Sequence, residues 1–233
     1  MMRASFLTKI FDMLSPRCCA GCHKRLTIDE QFLCSTCYSH LPLTHLWEQA
    51  DDNPMVRIFW GRINVERAAA LFYYEPNTEV AQFIHAIKYG GNGEGAELLG
   101  RIAAQQMVAT GFFDGIDALV PVPLTKEREH QRGYNQSELI ARGISQTTEL
   151  PVYSGLLRRE SFAESQTHLN AYERRENVER AFRLLHSETA AHHHLLLVDD
   201  VMTTGSTLMA CALQLQQAPG VRLSMLTLGL ANS

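Results

Sequence analysis

The 233-residue chain has no apolar run approaching the ~20 residues that a membrane-spanning helix needs. It has no excess of positive charge either: 21 Lys and Arg stand against 25 Asp and Glu, a formal net charge of −4. No global field therefore draws it to nucleic acid or anionic lipid, and any DNA contact must be local. Beyond residue 37 cysteine is nearly missing, Cys211 being the exception. Residues Met1–Leu14 are mildly amphipathic, but Lys9 and Asp12 interrupt them before a signal-peptide core can form. That segment reads as a helix packed on the body, with docking to a partner as the second reading. These absences point to a cytoplasmic protein. With 45% hydrophobic and 20% charged residues, the composition suits a globular chain, long enough for one full α/β domain and a small appendage.

What cysteine there is lies close together. Five of the six fall between Cys18 and Cys37, and in a reducing compartment such clustering argues for metal before disulfides. Cys19-x2-Cys22 and Cys34-x2-Cys37 form two close pairs, a spacing suited to tetrahedral zinc on two knuckles. Gly21 permits the tight turn of the first pair. Cys18 competes with Cys19 for the first ligand position, and His23 is a conceivable substitute. A closed four-sulfur site would be structural, folding a segment too small to hold itself together by burial.

The stretch Leu195–Leu208 organises the rest. Four aliphatic residues, Leu195 to Val198, read as a strand buried on both faces, as in the middle of a parallel sheet. Asp199 and Asp200 are expected to end it. Small hydroxyl residues then surround Gly205, and Leu208, Cys211, Ala212 and Leu215 recur at helical spacing. Loop amides and a helix N-terminus offer unpaired N–H donors to a phosphate. Gly205 allows close backbone approach, while Thr203, Thr204, Ser206 and Thr207 add hydroxyls without bulk. Ionised Asp199 and Asp200 suit vicinal sugar hydroxyls or a hydrated divalent cation.

The run from Val198 to Leu208 resembles the phosphoribosyl pyrophosphate (PRPP) signature of type I phosphoribosyltransferases. Two further blocks narrow the resemblance to the ComF/GntX family, associated with DNA uptake and utilisation. One is Pro121-Val122-Pro123-Leu124 followed by Arg132-Gly133-Tyr134-Asn135-Gln136. The other comprises Gln166-x-x-Leu169, Arg174-x-x-Asn177-Val178 and Ala181-Phe182. The resemblance implies a type I phosphoribosyltransferase-like, doubly wound, mainly parallel sheet over residues 51–233. A zinc-ribbon module with an N-terminal helix would precede it over residues 1–50. It also implies Mg²⁺ accompanying PRPP, a mobile hood formed by the Arg- and Glu-rich segment 158–183, and a Lys88-Tyr89 pair that contacts the site. Relatives tend to carry Thr where this chain has Ala163.

Elsewhere the pattern is that of alternating strands and helices. Ala68–Tyr74 reads as a strand, and Val80, Phe83, Ile84 and Ile87 as a helix stopping at Gly90-Gly91. A second helix spans about Glu94–Ala109. Ala118–Val120 is a strand ended by Pro121, releasing a loop beside the 195–208 loop. Lys126, Arg128, His130 and above all Arg132 then supply cations for pyrophosphate, with Asn135 capping the next helix. Trp47, Phe59 and Trp60 read as a seal between the cysteine module and the larger domain, with base stacking as the alternative. His192-His193-His194 reads as a polar turn, and Val221–Leu228 as a last strand.

Two functions compete. One is a Mg²⁺-dependent transferase that grips the 5′-phosphate with residues 203–207, holds the ribose with Asp199 and Asp200, and neutralises pyrophosphate with Arg132 and Mg²⁺. The other is a module without turnover that senses a nucleotide or sugar phosphate and binds single-stranded DNA or a DNA-translocating helicase. No side chain stands out as a proton shuttle, and none as a base-recognition pocket.

Overall fold

The computed structural model describes residues 16–160 and 181–231. The amphipathic N-terminal segment lies outside them. So do Ala163, Gln166, Leu169, Arg174, Asn177 and Val178 of the Arg- and Glu-rich segment.

Four parallel strands form the central sheet: β1 (Arg67–Tyr74), β2 (Ala118–Pro121), β5 (His194–Met202) and β6 (Arg222–Ala231), in the order β1-β6-β5-β2. A two-stranded antiparallel hairpin, β3 (Leu157–Arg159) with β4 (Phe182–Leu184), stands apart. The apolar runs of β1 and β5 alternate between two cores, as a sheet covered on both faces requires. Ala69, Leu71, Leu196 and Val198 face one core, while Ala68, Ala70, Leu195 and Leu197 face the other. The first core takes in α3 (Glu79–Tyr89), α4 (Gly93–Met107) and α6 (Gln136–Thr148). The second takes in α2 (Pro54–Arg57), α8 (Ser206–Leu215) and the hairpin. Two shorter helices, α5 (Lys126–Arg132) and α7 (Ser187–Ala190), complete this part of the chain. No helix among the described residues is long and apolar enough to cross a membrane.

Helix limits follow the residues that set them. Thr78 caps α3 by accepting from Ala81 N–H, and the helix ends at Gly90. Asn92, Thr125 and Asn135 cap α4, α5 and α6 in the same way. Helices α4 and α6 cross at glycines. A β-carbon on Gly100 would run into the Ile140 carbonyl oxygen, and one on Gly143 into that of Glu97.

The cysteine module packs on the first core. Its one described helix, α1 (Ser35–Ser39), is capped by the Cys34 sulfur. Phe32 lies 6.1 Å from Phe83, ring centre to ring centre, and Gly21 and Gly95 leave no room for a β-carbon beside those rings. Gly21 is therefore demanded by the neighbouring phenylalanine. Trp47 is buried in the same core, as a seal should be. Phe59 instead packs on the opposite face of the sheet, and Trp60 is 58% exposed. Phe32 and Phe83 make the seam that these two were expected to make.

Between module and sheet the chain runs antiparallel along β1. Leu43 bridges Phe72, Thr44 N–H donates to Leu71 O, and Tyr73 N–H donates to Pro42 O.

Candidate functional site

Strand β5 does not stop at the acids. It continues to Met202, because Asp199, Val201 and Met202 keep their register with Thr227, Gly229 and Leu230 of β6. An acid within a strand still reaches the carboxyl end of the sheet when the partner strand is long enough to carry it. The chain then turns through Thr203–Gly205 into α8. Gly205 adopts φ +73° and is the N-cap, so the helix begins without a side-chain cap. Ser206 N–H donates to Thr204 Oγ1 at 3.4 Å, and the rest of the first turn has no intrahelical acceptor for its N–H groups. Thr204 Oγ1 and Ser206 Oγ lie 2.7 Å apart on this rim. Behind it Leu208, Cys211, Ala212 and Leu215 are all buried, as their spacing predicts.

Both carboxylates are more than nine-tenths buried and both are partnered. Asp199 Oδ1 accepts from Ser137 Oγ at 3.0 Å and from Asp200 N–H at 2.9 Å. Burial pushes its pKa up to about 7, the Asp200 charge adds to this, and those two hydrogen bonds oppose it. Asp200 Oδ1 pairs with Lys88 Nζ at 2.9 Å, and its Oδ2 accepts from Gln136 Nε2 at 2.7 Å. Gln136 Oε1 accepts from Arg132 at 2.7 Å, and the Arg132 guanidinium lies over the Tyr89 ring, 4.9 Å from its centre. A hydrogen-bonded chain thus runs from Lys88 through Asp200 and Gln136 to Arg132.

These groups face one cavity of about 300 Å³. Its lining brings Asp199, Asp200, Thr203 and Thr207 together with Lys88, Arg128, Arg132 and Arg159, and with Tyr74 at the end of β1. The loop after β2 joins them: Val122 N–H donates to Val198 O, and Asn135 Nδ2 donates to Val122 O. A second cavity, of about 470 Å³, shares Lys88, Arg128 and Arg132 with the first and has no carboxylate among its lining residues. Lys126 faces a different cavity together with Glu127 and Glu129, and His130 is exposed on α5. Neither of these two joins the acids.

Lys88 is the residue that sequence reasoning undervalued. Read alone it is a last-turn cation, and only the family resemblance hints at more. Gln136 and Ser137 follow a helix cap, where polar residues are ordinary, so their link to the acids carries no local signal. Strand β5 likewise begins one residue earlier than a polar turn allows. His194 is fully buried, its Nε2 2.8 Å from Ser224 Oγ, its Nδ1 3.1 Å from Gly115 O, with Glu66 3.7 Å away. It is a structural residue at the far end of the sheet.

The cysteines form a second candidate centre. The sulfurs of Cys19, Cys22, Cys34 and Cys37 all lie within 4.8 Å of one another, and those of Cys22 and Cys34 are 3.7 Å apart. Four sulfurs at ~2.3 Å from a tetrahedral zinc stand ~3.8 Å from each other, so the set fits that ion. Cys34 N–H donates to Cys19 Sγ and Cys37 N–H to Cys34 Sγ, each at 3.4 Å, the turn geometry that presents thiolates to a metal. Burial opposes ionisation of Cys19, but backbone N–H groups outweigh it and bring the thiol to about 7. Cys18 is exposed and its Sγ turns to Pro16 O, so Cys19 is the sulfur of this pair that lies with the other three.

No family model matches the chain. Several curated proteins resemble it, among them these three. Competence protein F of Haemophilus influenzae is 39% identical over 93 residues, 40% of this chain and 41% of that protein. DNA utilization protein YhgH of Escherichia coli is 30% identical over 197 residues, 83% of this chain and 82% of that protein. Competence protein ComFC of Bacillus subtilis is 32% identical over 111 residues, 47% of this chain and 43% of that protein.

Proposed function

Because this chain belongs to the ComF family of competence and DNA-utilization proteins, we propose that it serves DNA uptake or utilisation through a PRPP-type site in a phosphoribosyltransferase-like domain. One observation carries the reading: two buried acids near the carboxyl end of β5 share a cavity with four cations, a few residues before a helix whose N-cap is a glycine. A sugar carrying a monophosphate and a diphosphate matches that division. The N–H groups of α8 and the hydroxyls of Thr203 to Thr207 suit the 5′-phosphate. Asp199 and Asp200 suit the ribose hydroxyls. Arg132, with Lys88 and Mg²⁺, suits the pyrophosphate.

Departure of pyrophosphate leaves an oxocarbenium-like sugar, so positioning and charge stabilisation supply most of the catalysis. The cations would stabilise charge developing on the leaving oxygens, and the acids the positive ring. Titration calorimetry with PRPP and Mg²⁺ tests the site. Wild type should give heat that an Asp199→Asn/Asp200→Asn variant lacks; equal heat from both would remove the reading. Pyrophosphate release with a panel of bases then separates a transferase from a sensor.

A specific feature favours the sensor that handles single strands. Ile58 packs against Gly205 on the phosphate loop, and two residues on, exposed Trp60 carries the Arg57 guanidinium 5.5 Å from its ring centre. Base stacking on Trp60 beside the loop would bind single-stranded DNA. A Trp60→Ala variant should then lose gel-shift affinity by roughly tenfold, with both proteins weakening as salt rises.

A further inference from the structure

We propose that Lys88 is an exchangeable counter-ion, paired with Asp200 in the ligand-free protein and transferred to the pyrophosphate group when ligand binds, which opens Asp200 Oδ1 to the sugar. The inference rests on the sugar-phosphate reading of the cavity and adds a residue with two positions to it. Lys88 Nζ is 2.9 Å from Asp200 Oδ1, and the two side chains are 23% and 8% exposed. The same lysine lines both cavities, as Arg128 and Arg132 do, but only the first cavity holds Asp200.

Of the cations there, Lys88 is the one in an ion pair with an acid of the site, so it is the one with a partner to exchange. Arg132 is held by Gln136 Oε1 at 2.7 Å and by the face of Tyr89. Lys88 has a long unbranched stem with its charge at the tip, and its helix ends two residues later, at Gly90. Three cations facing one cavity repel one another, and drawing Lys88 onto Asp200 relieves that repulsion. An anion of high charge in the second cavity reverses the balance. Asp200 does not collapse when Lys88 leaves, because Gln136 Nε2 keeps its Oδ2 at 2.7 Å. The amide orientation is unambiguous, since Arg132 can only donate and an ionised Asp200 can only accept.

A double-mutant cycle tests the exchange, read by calorimetric titration with pyrophosphate and no added divalent cation. Removing the Asp200 charge frees Lys88, so Asp200→Asn should bind pyrophosphate about tenfold more tightly than wild type. In a Lys88→Met background the same change should gain no more than about twofold. Lys88→Arg should restore the larger response. Asp199→Asn, which has no ion pair with Lys88 but feels its charge, should couple to it less than Asp200→Asn does. Should Lys88→Met fail to fold, Lys88→Gln takes its position in the cycle. Equal gains from Asp200→Asn with and without Lys88 would be plain through-space electrostatics, overturning the exchange and leaving the sugar-phosphate reading intact. Pyrophosphate binding by none of the variants would remove both.

Discussion

Asp199 and His194 sit near opposite ends of one strand and answer acid in opposite directions. Burial, helped by the Asp200 charge, raises Asp199 to about 7, so the folded protein holds a proton that the unfolded chain releases near ~4. The stability this contributes is complete below ~4 and is lost as pH rises through about 7. Asp199→Asn keeps the shape without the titration, so in urea unfolding it should gain on wild type as pH rises from ~4 to about 7. Burial lowers His194, with Glu66 opposing, so its contribution is present above ~6.5 and fades as pH falls. His194→Gln should flatten the acid side of the same stability profile. Only half of this was legible. The acids announce themselves by type and neighbours, whereas a histidine buried after two others looks like a turn until its partners Ser224, Gly115 and Glu66 converge from distant parts of the chain.

Among the elements, the α4–α6 crossing sets the position of the cleft. Gln136 and Ser137 lie in the first turn of α6, and they hold Asp200 and Asp199. Gly143→Ala would push α6 off the Glu97 carbonyl. It should cost about 1–3 kcal/mol in denaturant unfolding, and it should weaken pyrophosphate binding as well. The cysteine knuckles are tied to the same core, since Cys19, Cys34 and Cys37 belong to it together with Phe83 and Leu99. Elemental analysis should find one zinc per chain, and Cys34→Ser should lower the melting temperature by more than ~10 °C, not merely loosen a tip. Periodicity revealed these helices to within a residue or two, because caps such as Thr78 and Asn135 are local chemistry. Strand β5 outran its apolar run because β6 extends beside it, a fact written in residues 222–231 and not in its own sequence.

Across the whole molecule, composition indicated an α/β chain, and the cysteine spacing a metal centre. What it could not indicate was how the two parts join. The seam is a pair of phenylalanines fitted against two glycines, and shape complementarity of that kind has no sequence period. The segment after the module has a further consequence. Residues 42–44 run along the outer margin of β1, and Ala68 N–H donates to Ala50 O just beyond. They fasten a row of amides that would otherwise recruit another chain. A fragment begun at residue 51 would bare that margin, and light scattering should find it self-associated. One begun at residue 41 should associate less. The stretch that looks like a tether is the hem of the sheet, and cutting there unravels it.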